Sequence, residues 1–355
     1  MNRQEMISQL EDNIFWDVII IGGGASGVGI ALDSASRGYK TLLLEKGDFA
    51  QGTSSRSTKL IHGGVRYLQQ GNISLVLEAL KERGILRRNA PHLVHNLPFI
   101  VPNYDWWEGP FYGVGLKIYD MLAGKEGFGN SQLISKEQTL KHIPTIEQEG
   151  LNGGVIYYDG QFDDARLVIN LTKTAAEQGG VLINYVKVSN LVKRNNIIKG
   201  VVATDKISGK EFELNAKVVI NATGPFSDSI RKMDEPDIMN IITPSQGVHM
   251  VLDREFLPGD SAIMVPHTDD GRVLFAIPWH KKIIVGTTDT PLNEVEDEPL
   301  PQKDEVDFLL EHTARYLTKD PTREDIKSIF AGIRPLVVNP SAENTDLILS
   351  KKLLF

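Results

Sequence analysis

The chain has 355 residues, a formal net charge of −8 and a hydrophobic content of 41%, values that are ordinary for a folded protein and argue against wholesale disorder. Proteins that bind nucleic acid usually carry a basic excess, so the acidic charge disfavours nucleic acid as a partner. The sequence contains no cysteine, which excludes disulfides, zinc–thiolate sites and catalysis by a thiol, and we predict no metal site.

The N-terminal segment and the lack of long apolar runs predict a cytoplasmic protein. Residues 1–17 have no apolar signal-peptide core, and no run approaches the roughly 18 apolar residues of a membrane span. Segment 103–122 contains a cluster of aromatic side chains: Trp106, Trp107, Phe111, Tyr112 and Tyr119. The cluster suits a peripheral contact with the inner face of the plasma membrane. A core or inter-domain helix is the favoured interpretation, because Lys117 is the only base in the segment.

Residues 16–45 predict a β-α-β unit. WDVIII (16–21) is a continuous apolar run of strand length, as is typical of a parallel strand buried on both faces. Residues 25–37 predict a helix that ends at Gly38, and KTLLLE (40–45) predicts the second strand.

The turn between the first strand and the helix has the spacing Gly22-x-Gly24-x-x-Gly27. The first glycine permits a tight turn, the second lets a pyrophosphate approach the backbone, and the third lets the helix pack closely on the strand. The helix N-terminus then attracts phosphates. Glu45, at the end of the second strand, is placed to accept hydrogen bonds from an adenosine ribose. Its charge disfavours a 2′-phosphate, which leaves FAD or NAD.

Residues 52–68, GTSSRSTKLIHGGVRYL, form a segment that we call the arm. It contains hydroxyl, basic and histidine side chains: Thr53, Ser54, Ser55, Arg56, Ser57, Thr58, Lys59, His62 and Arg66. We expect the arm to run along a cofactor, with its hydroxyls at phosphate and ring heteroatoms, while Gly63 and Gly64 let the chain pass close to a flat ring. NAD has to leave its site after each reaction, and a protein seldom contacts it with a long segment rich in hydroxyl groups. The length of the arm therefore favours a flavin that stays bound.

Further helices and strands follow. Residues 73–90 predict a helix that ends before Pro91, and a capping box between Ser135 and Gln138 opens a short helix. Residues 163–180 predict another helix.

From residue 181 to 220 the pattern changes to short strands with turns. KVVINATG (217–224) predicts a buried strand whose end approaches the cofactor, although such a sequence is as often structural. After residue 243 the strands are typical of an antiparallel sheet, and 293–305 predicts an acidic, solvated loop.

We therefore expect an α/β protein with two domains. A Rossmann-like nucleotide-binding domain is expected over 1–95 and 151–242, with a last part at 336–355. An antiparallel-sheet substrate domain, inserted into it, is expected over 96–150 and 243–335.

Several motifs resemble the FAD-dependent glycerol-3-phosphate dehydrogenases, in order from about residue 14 to about residue 340. They are the glycine turn, SSRSTKLIHGG, YYDGQFDDARL, NATGPFSDSI, GVHMVLD, IPWHKKIIVGTTDT and AGIRPL. The SSRSTKLIHGG motif is highly specific, whereas GTTD and NATG are shared with other flavoenzymes related to D-amino-acid oxidase. The resemblance implies the D-amino-acid-oxidase-like, glutathione-reductase type of FAD-binding domain.

The resemblance also implies that sn-glycerol 3-phosphate is oxidised to dihydroxyacetone phosphate. Hydride passes from C2 of the substrate to FAD, and electrons pass on to a quinone or another acceptor. The cofactor-binding residues implied are Gly22, Gly24, Gly27, Glu45, Thr53, Ser54, Ser55, Ser57, Thr58, Lys59, His62, Gly63, Gly64, Val188, Ala222, Thr223 and Gly224.

The substrate site implied by the resemblance contains cations and a base. Arg334 in AGIRPL matches the family's phosphate-binding arginine, and Arg66 and Tyr67 on the arm match substrate positions. A phosphomonoester carries close to two negative charges, which an arginine fork suits; a structural salt bridge is the alternative. Either His62 or His249 is the base that takes the hydroxyl proton.

The resemblance breaks near the end of the sequence. Family members continue with a second arginine segment, a turn rich in glycine and lysine that closes over the flavin, and a helical C-terminal domain. We expect their absence to weaken FAD binding and activity. Two other functions stay open, an FAD-dependent amino-acid or amine oxidoreductase and a non-catalytic flavin-binding fragment. The electron acceptor and the oligomeric state also stay open.

Overall fold

The computed structural model describes residues 1–12, 14–69, 71–266, 268 and 271–337. Its strands are β1 (Trp16–Ile21), β2 (Thr41–Leu44), β3 (Leu60–Ile61), β4 (Val94–Asn103), β5 (Gln132–Ser135), β6 (Gly153–Phe162), β7 (Val181–Ile183), β8 (Val186–Arg194), β9 (Ile197–Asp205), β10 (Glu211–Asn221), β11 (Ile242–Asp253), β12 (Ala262–Val265), β13 (Leu274–Trp279), β14 (Lys282–Gly286), β15 (Thr290–Pro291) and β16 (Ser328–Val337). Its α-helices are α1 (Arg3–Glu11), α2 (Ala25–Ser36), α3 (Val65–Gln69), α4 (Ile73–Asn89), α5 (Glu108–Ala123), α6 (Lys136–His142), α7 (Asp164–Glu177), α8 (Ser227–Asp234) and α9 (Lys303–Ala314).

The first sheet has the strand order β7-β2-β1-β10-β9-β8. Strands β7, β2, β1 and β10 are parallel to one another, whereas β10, β9 and β8 form an antiparallel meander. The predicted burial of β1 on both faces is confirmed, because Ile19 and Ile20 are fully buried. The predicted strand β2 is present, and Leu42 and Leu43 within it are also fully buried. Helix α2 connects these two strands and packs against α7. The first sheet therefore contains the predicted β-α-β unit.

Strand β10 occupies the position predicted for a buried strand, but the predicted burial is wrong. Val218 is 51% exposed, and residues 211–216 alternate between buried and less buried positions. Such alternation is typical of a strand with one solvated face, and it continues the antiparallel meander into the parallel part of the sheet.

The second sheet has the order β15-β11-β14-β13-β12-β4-β6-β3, with β16 paired to β11 and β5 paired to β6. Strands β12 and β4 run parallel, and the other pairs are antiparallel. The antiparallel pattern predicted after residue 243 is thus confirmed for most pairs.

The membership of this sheet differs from the expected domain boundaries. Strands β3 and β6 fall in the ranges expected for the nucleotide-binding domain, 1–95 and 151–242, yet both belong to the second sheet. The reason is the long pairing of β6 with β4, which runs from Val94 opposite Phe162 to Asn103 opposite Gly153. Such a partner is chosen by tertiary packing and not by the local sequence pattern.

The last part expected for the nucleotide-binding domain, 336–355, lies mostly outside the described residues. Residues 336 and 337 are described, and they end β16 in the second sheet. Residues 338–355 fall outside the described ranges, so this part of the domain prediction stays a prediction.

Candidate cofactor cleft and active site

A cleft of about 750 Å³ lies at the carboxyl ends of β1, β2 and β10. The carboxyl edge of a parallel sheet is where open α/β sheets bind their ligands. The cleft is lined by residues 21–26, 44–47, 50–54, 186–188 and 221–227, and by Ile333 and Pro335 from the end of β16. Both sheets and the arm therefore contribute to one elongated cavity.

The glycine motif forms a close contact between β1, α2 and β10. Gly22 has φ +113°, and a Cβ there would overlap the carbonyl oxygen of Ala222. A Cβ at Gly27 would overlap the carbonyl oxygen of Gly22. The tight turn and the close helix–strand contact expected for a dinucleotide-binding motif are therefore both present.

The N-terminus of α2 faces the cleft without a side-chain cap from its N-cap residue, Gly24. Ser54 on the arm accepts a hydrogen bond from the Ala25 amide at 2.9 Å. Glu45 accepts hydrogen bonds from the amides of Gly23 at 2.6 Å and Gly47 at 2.7 Å. A helix N-terminus, small residues and a carboxylate on one wall suit the pyrophosphate and ribose of a dinucleotide.

Other predicted cofactor residues also line the cleft: Gly22, Thr53, Val188, Ala222, Thr223 and Gly224. Two of them are held by neighbours. Thr53 donates a hydrogen bond to the carbonyl oxygen of Ile333 at 2.6 Å, and Thr223 donates one to Asn221 Oδ1 at 2.7 Å. Thr53 thus ties the start of the arm to β16.

The middle of the arm is fixed to α7 and β11. Ser57 Oγ and Lys59 Nζ each contact the Asp164 carboxylate at 2.7 Å, and Thr58 Oγ1 lies 2.8 Å from His249 Nε2. Ser55 makes a long hydrogen bond of 3.4 Å to the Gly52 carbonyl. In this structure these four side chains contact protein groups, and their cofactor role stays a prediction.

The end of the arm packs against the helices. A Cβ at Gly63 would overlap the Tyr119 hydroxyl on α5, and Gly64 has φ +81°. Tyr67 lies on α3 beside the small apolar cluster of α4 and α5. Arg66 also lies on α3, and its side chain is outside the described part of the chain. Gly63 was predicted to lie beside a flat ring, and here its small size serves the packing on α5.

Both candidate histidines lie over one face of the second sheet. Four residues are neighbours across strands β13, β14, β11 and β16: Phe275, Gly286, His249 and Phe330. The side chains of Phe275, His249 and Phe330 therefore point to the same face of the sheet. His62 stacks on Phe275 with ring centroids 5.2 Å apart, and His249 stacks on Phe330 at 4.9 Å. The arm therefore covers this face.

His249 is held as a neutral imidazole. It is 2% exposed, and burial, together with the charges of Arg334 and Lys59, lowers its pKa to about 3. Within the described residues its Nδ1 is a buried atom without a hydrogen-bond partner. A base with so low a pKa is a weak proton acceptor near neutral pH.

His62 has a different environment. Its side chain is 38% exposed, and Nδ1 lies 3.5 Å from Asp159 Oδ2. Such a contact is longer than an ordinary hydrogen bond, as catalytic contacts often are before a substrate binds. The geometry favours His62 over His249 as the base.

Arg334 lies on β16 and contacts residues of the β14–β15 connection. Its Nη1 is 3.2 Å from Asp289 Oδ1, and its Nη2 is 3.1 Å from Thr287 Oγ1. Burial lowers the pKa of Arg334 and the Asp289 charge raises it, with a net lowering. The salt-bridge alternative is therefore present in the structure. The two contacts use two of the five N–H donors of a guanidinium group, so a phosphate role is compatible with it.

Comparison with known proteins decides the family. Residues 17–349 match the model of a family described as FAD dependent oxidoreductase. The chain belongs to this family.

Relatives of this chain include proteins named glycerol-3-phosphate dehydrogenase. The mitochondrial glycerol-3-phosphate dehydrogenase of Rattus norvegicus is 44% identical, over 98% of this chain and 50% of that protein. The corresponding protein of Schizosaccharomyces pombe is 43% identical, over 96% of this chain and 55% of that one. The chain thus spans about half the length of the curated relatives that it matches.

Solved structures show the same fold. The glycerol-3-phosphate dehydrogenase of Bacillus halodurans, complexed with FAD, has a TM-score of 0.78 and 34% identity, covering 94% of this chain and 60% of that one. The FAD-bound L-α-glycerophosphate oxidase of Mycoplasma pneumoniae has a TM-score of 0.72 at 19% identity, over 91% of this chain and 84% of that one. The latter likeness concerns the fold alone.

The sequence predictions missed two residues that lie beneath His62. Arg83 on α4 and Asp159 on β6 are each 1% exposed, and Arg83 Nη1 lies 2.6 Å from Asp159 Oδ1. Burial opposes ionisation of Asp159, but the His62 contact and the Arg83 charge outweigh it and lower the pKa of that carboxyl. One feature of the sequence could have pointed to Asp159: it is the single carboxylate in the largely apolar strand GGVIYYDGQF. An unpaired charge in such a strand would raise the free energy of the folded state, so a buried partner is expected.

The acidic segment 293–305 is mostly exposed, as the sequence predicted, but Glu305 is buried near the start of α9. Asp297 pairs with Lys46 at the cleft, and Glu298 pairs with Arg56 of the arm at 2.5 Å. Glu305 is 5% exposed and accepts hydrogen bonds from Gln246 Nε2 at 2.7 Å, Thr288 Oγ1 at 3.0 Å and Thr290 Oγ1 at 2.7 Å. These partners lie on β11, on β15 and just before it, and no local pattern reveals them.

Replacing His249 with glutamine is expected to reduce the loss of stability on acidification. An unfolded histidine with a pKa near 6.5 binds a proton that the folded His249, with a pKa of about 3, does not. The stability that neutral His249 contributes is therefore present above pH 6.5 and is lost as the pH falls toward 3. Between pH 7 and pH 5 the wild type should lose about 2 kcal/mol more than His249→Gln.

Urea unfolding at pH 7 and pH 5 measures this difference. Exposed His92 provides the control, and His92→Gln should retain the wild-type pH dependence. Equal losses of stability in wild type and His249→Gln would contradict the assignment of His249 as a buried neutral imidazole.

Proposed function

We propose that the chain oxidises sn-glycerol 3-phosphate to dihydroxyacetone phosphate, with FAD in the cleft as hydride acceptor and a quinone as the final electron acceptor. The observation that carries the proposal is the covered face of the second sheet. It combines a half-exposed histidine next to a carboxylate, an arginine that uses two of its five N–H donors in contacts with described residues, and a dinucleotide-type cleft at its edge. The names of the relatives support the choice of substrate.

The residues of the cleft would hold the cofactor in defined positions. The amides at the start of α2 would bind the pyrophosphate, and Glu45 would accept hydrogen bonds from the adenosine ribose. Ser54 would keep the arm against this end of the cleft through its bond to the Ala25 amide. When bound, FAD would supply the ring that accepts a hydride, one proton with two electrons, from the substrate.

The substrate would be held at its two ends. Arg334 would bind the phosphate through its guanidinium fork, since a fork matches a phosphate better than a point charge does. His62 Nε2 would take the proton of the C2 hydroxyl as hydride leaves C2. Phe275 behind the His62 ring, and the arm above the sheet, would limit the access of water to this point.

Anaerobic titration of the FAD-loaded protein tests the proposed function. Glycerol 3-phosphate should bleach the visible flavin absorbance, and glycerol should do so only at far higher concentration, because it lacks the phosphate. Bleaching by an amino acid but not by glycerol 3-phosphate would contradict the proposal and support an amino-acid oxidoreductase. A yellow protein that no substrate bleaches would support a flavin-binding fragment.

We also propose that α5 contacts the surface of a membrane from its cytoplasmic side. One side of α5 is buried, through Tyr112, Leu116, Tyr119 and Ala123, as expected of a helix that packs on the core. The opposite side is exposed and apolar, with Trp107, Phe111, Val114, Ile118 and Met121. Within the described part of the chain, no helix is both long and apolar enough to span a bilayer.

The spacing of the exposed side chains supports a lipid surface as the occupant of this face. They recur three or four residues apart and form a continuous stripe, and Trp106 and Trp107 lie at its start, where indole rings favour the interfacial region of a bilayer. A stripe of this length exceeds the scattered apolar residues of an ordinary protein surface.

Sedimentation with phosphatidylcholine–phosphatidylglycerol vesicles tests this contact. The triple variant Phe111→Ser, Ile118→Ser, Met121→Ser should bind at least about tenfold more weakly, because it removes most of the exposed apolar stripe. Ile207→Ser, which removes an apolar side chain that is 66% exposed elsewhere, is the control. Unchanged vesicle binding of the triple variant, or wild-type dimers that the variant abolishes, would contradict the lipid contact.

A further inference from the structure

We propose that Asp159 is a positioning residue for His62, keeping the Nδ1 proton in place so that Nε2 is the free proton acceptor. The inference rests on the proposed function for its kinetic consequences, but the geometry concerns side chains of this chain alone. His62 Nδ1, on the edge of the imidazole ring, faces Asp159 Oδ2 at 3.5 Å. One face of the same ring stacks on Phe275. A carboxylate beside one imidazole nitrogen determines which nitrogen carries the proton.

The surroundings of Asp159 hold its carboxylate in one orientation. Oδ1 accepts hydrogen bonds from Arg83 Nη1 at 2.6 Å and from the amides of Gly63 and Gly160 at 3.3 and 3.1 Å. Oδ2 accepts a hydrogen bond from the Tyr119 hydroxyl at 3.3 Å. One oxygen is thus committed to the interior, and the other faces the histidine.

Arg83 gives the carboxylate a counter-charge. Its guanidinium lies 4.3 Å from the centre of the Phe128 ring and also contacts the Tyr119 hydroxyl at 3.1 Å. A buried ion pair is weak evidence for added stability, because desolvation offsets most of the attraction. Stability alone therefore does not explain why an apolar strand carries the charge of Asp159. The contact of Asp159 with the half-exposed His62 gives that charge a role at the site.

The groups packed around His62 determine which of them can fix its tautomer. Asp159 from β6 is adjacent to it, Arg83 from α4 and Tyr119 from α5 lie behind Asp159, and β13 presents the uncharged Phe275. The nearest charge among these is the carboxylate. Replacing it by a neutral amide should therefore remove the fixed tautomer of the imidazole.

The test is Asp159→Asn in the FAD-loaded protein, read out in two ways. Nitrogen NMR of labelled histidine should show that the Nδ1-protonated tautomer of His62 dominates in the wild type and no longer dominates in the variant. The kcat/KM for glycerol 3-phosphate should fall about 10- to 100-fold, in kcat more than in KM.

Two further variants separate positioning from structure. Asp159→Asn introduced into His62→Gln should cause no additional loss, since Asp159 acts through His62. Asp205→Asn removes a carboxylate that is 4% exposed and bonded to Arg3 and Ser208, outside this site; its kcat/KM profile should match the wild type.

A dominant Nδ1-protonated tautomer of His62 in Asp159→Asn, or equal losses of kcat/KM in the presence and absence of His62, would overturn the inference. The NMR readout does not depend on turnover, so it tests the positioning role even if glycerol 3-phosphate proves not to be the substrate. Failure of the proposed function would appear separately, as a wild-type flavin that glycerol 3-phosphate does not reduce.

Discussion

Replacing Gly27 with alanine should weaken FAD binding by at least about tenfold, whereas the same replacement at Gly29 should leave binding unchanged. Both residues lie on α2, two positions apart. A Cβ at Gly27 would overlap the Gly22 carbonyl oxygen, but a Cβ at Gly29 would meet no atom within 4 Å. The two variants therefore differ only in whether the helix can stay against the turn that binds the pyrophosphate.

The size of the effect follows from the cost of overpacking. Forcing an extra methyl group into a filled contact costs roughly 1–3 kcal/mol, and the helix can relieve it only by moving away from β1, which displaces the phosphate-binding amides. At Gly29 an alanine should stabilise the helix by roughly 0.5–1 kcal/mol, because glycine has more freedom to lose on folding.

Two measurements distinguish these outcomes. Isothermal titration of the apoprotein with FAD gives the affinity, and urea unfolding gives the stability of each variant. Equal FAD affinities of Gly27→Ala and Gly29→Ala would contradict the place of the cofactor at the glycine turn. A Gly27→Ala protein that fails to fold would be replaced by Gly24→Ala, whose Cβ would lie 3.0 Å from Ser54 Oγ at the mouth of the cleft.

Arg334→Ala should lower kcat/KM for glycerol 3-phosphate by roughly 10²- to 10³-fold, and it should barely change the slow oxidation of glycerol. A guanidinium that makes two charged hydrogen bonds to a phosphate contributes roughly 1.5–3 kcal/mol for each bond. Arg334→Lys should lie between the wild type and Arg334→Ala, because it keeps the charge and loses the fork.

The comparison of the two substrates decides between a phosphate clamp and a structural salt bridge. Loss of the Asp289 contact alone would disturb the site for both substrates equally, whereas loss of a clamp affects only the phosphorylated one. Arg37, whose guanidinium forms an exposed pair with Asp33 on α2, is the matched control, and Arg37→Ala should retain both activities. Equal losses for both substrates in Arg334→Ala would assign Arg334 to the structure.

Local signals in the sequence predicted much of the first sheet. The apolar runs of β1 and β2 and the glycine spacing each act over a few residues, and Gly22 and Gly27 have the packing roles expected of them. The capping box of Ser135 and Gln138 is likewise present, because a helix end depends on residues only three positions apart.

Contacts between distant residues were not predictable. Lys59 and Asp164 are 105 residues apart, and Arg83 and Asp159 are 76 residues apart. The apolar strand around Asp159 marks it as unusual, but no local pattern names its partner, and Lys59, Arg83 and Asp164 are ordinary charged residues in their own segments. Only the folded chain shows which of these charges are paired. The same limit applies to β6, whose sheet is decided by its pairing with β4. The sequence showed that the arm follows the second strand and Glu45. It did not show that the arm contacts Asp164 and His249.

A crystal structure of the chain with FAD would show whether the cofactor runs from the glycine turn to the covered face of the second sheet, on which the proposed chemistry depends. We expect the pyrophosphate at the N-terminus of α2, the ribose at Glu45, and the flavin ring within contact distance of the arm, with His62 Nε2 directed toward the substrate space. A flavin ring bound elsewhere, with His62 and Arg334 outside its reach, would contradict both the cofactor position and the assigned roles of these two residues.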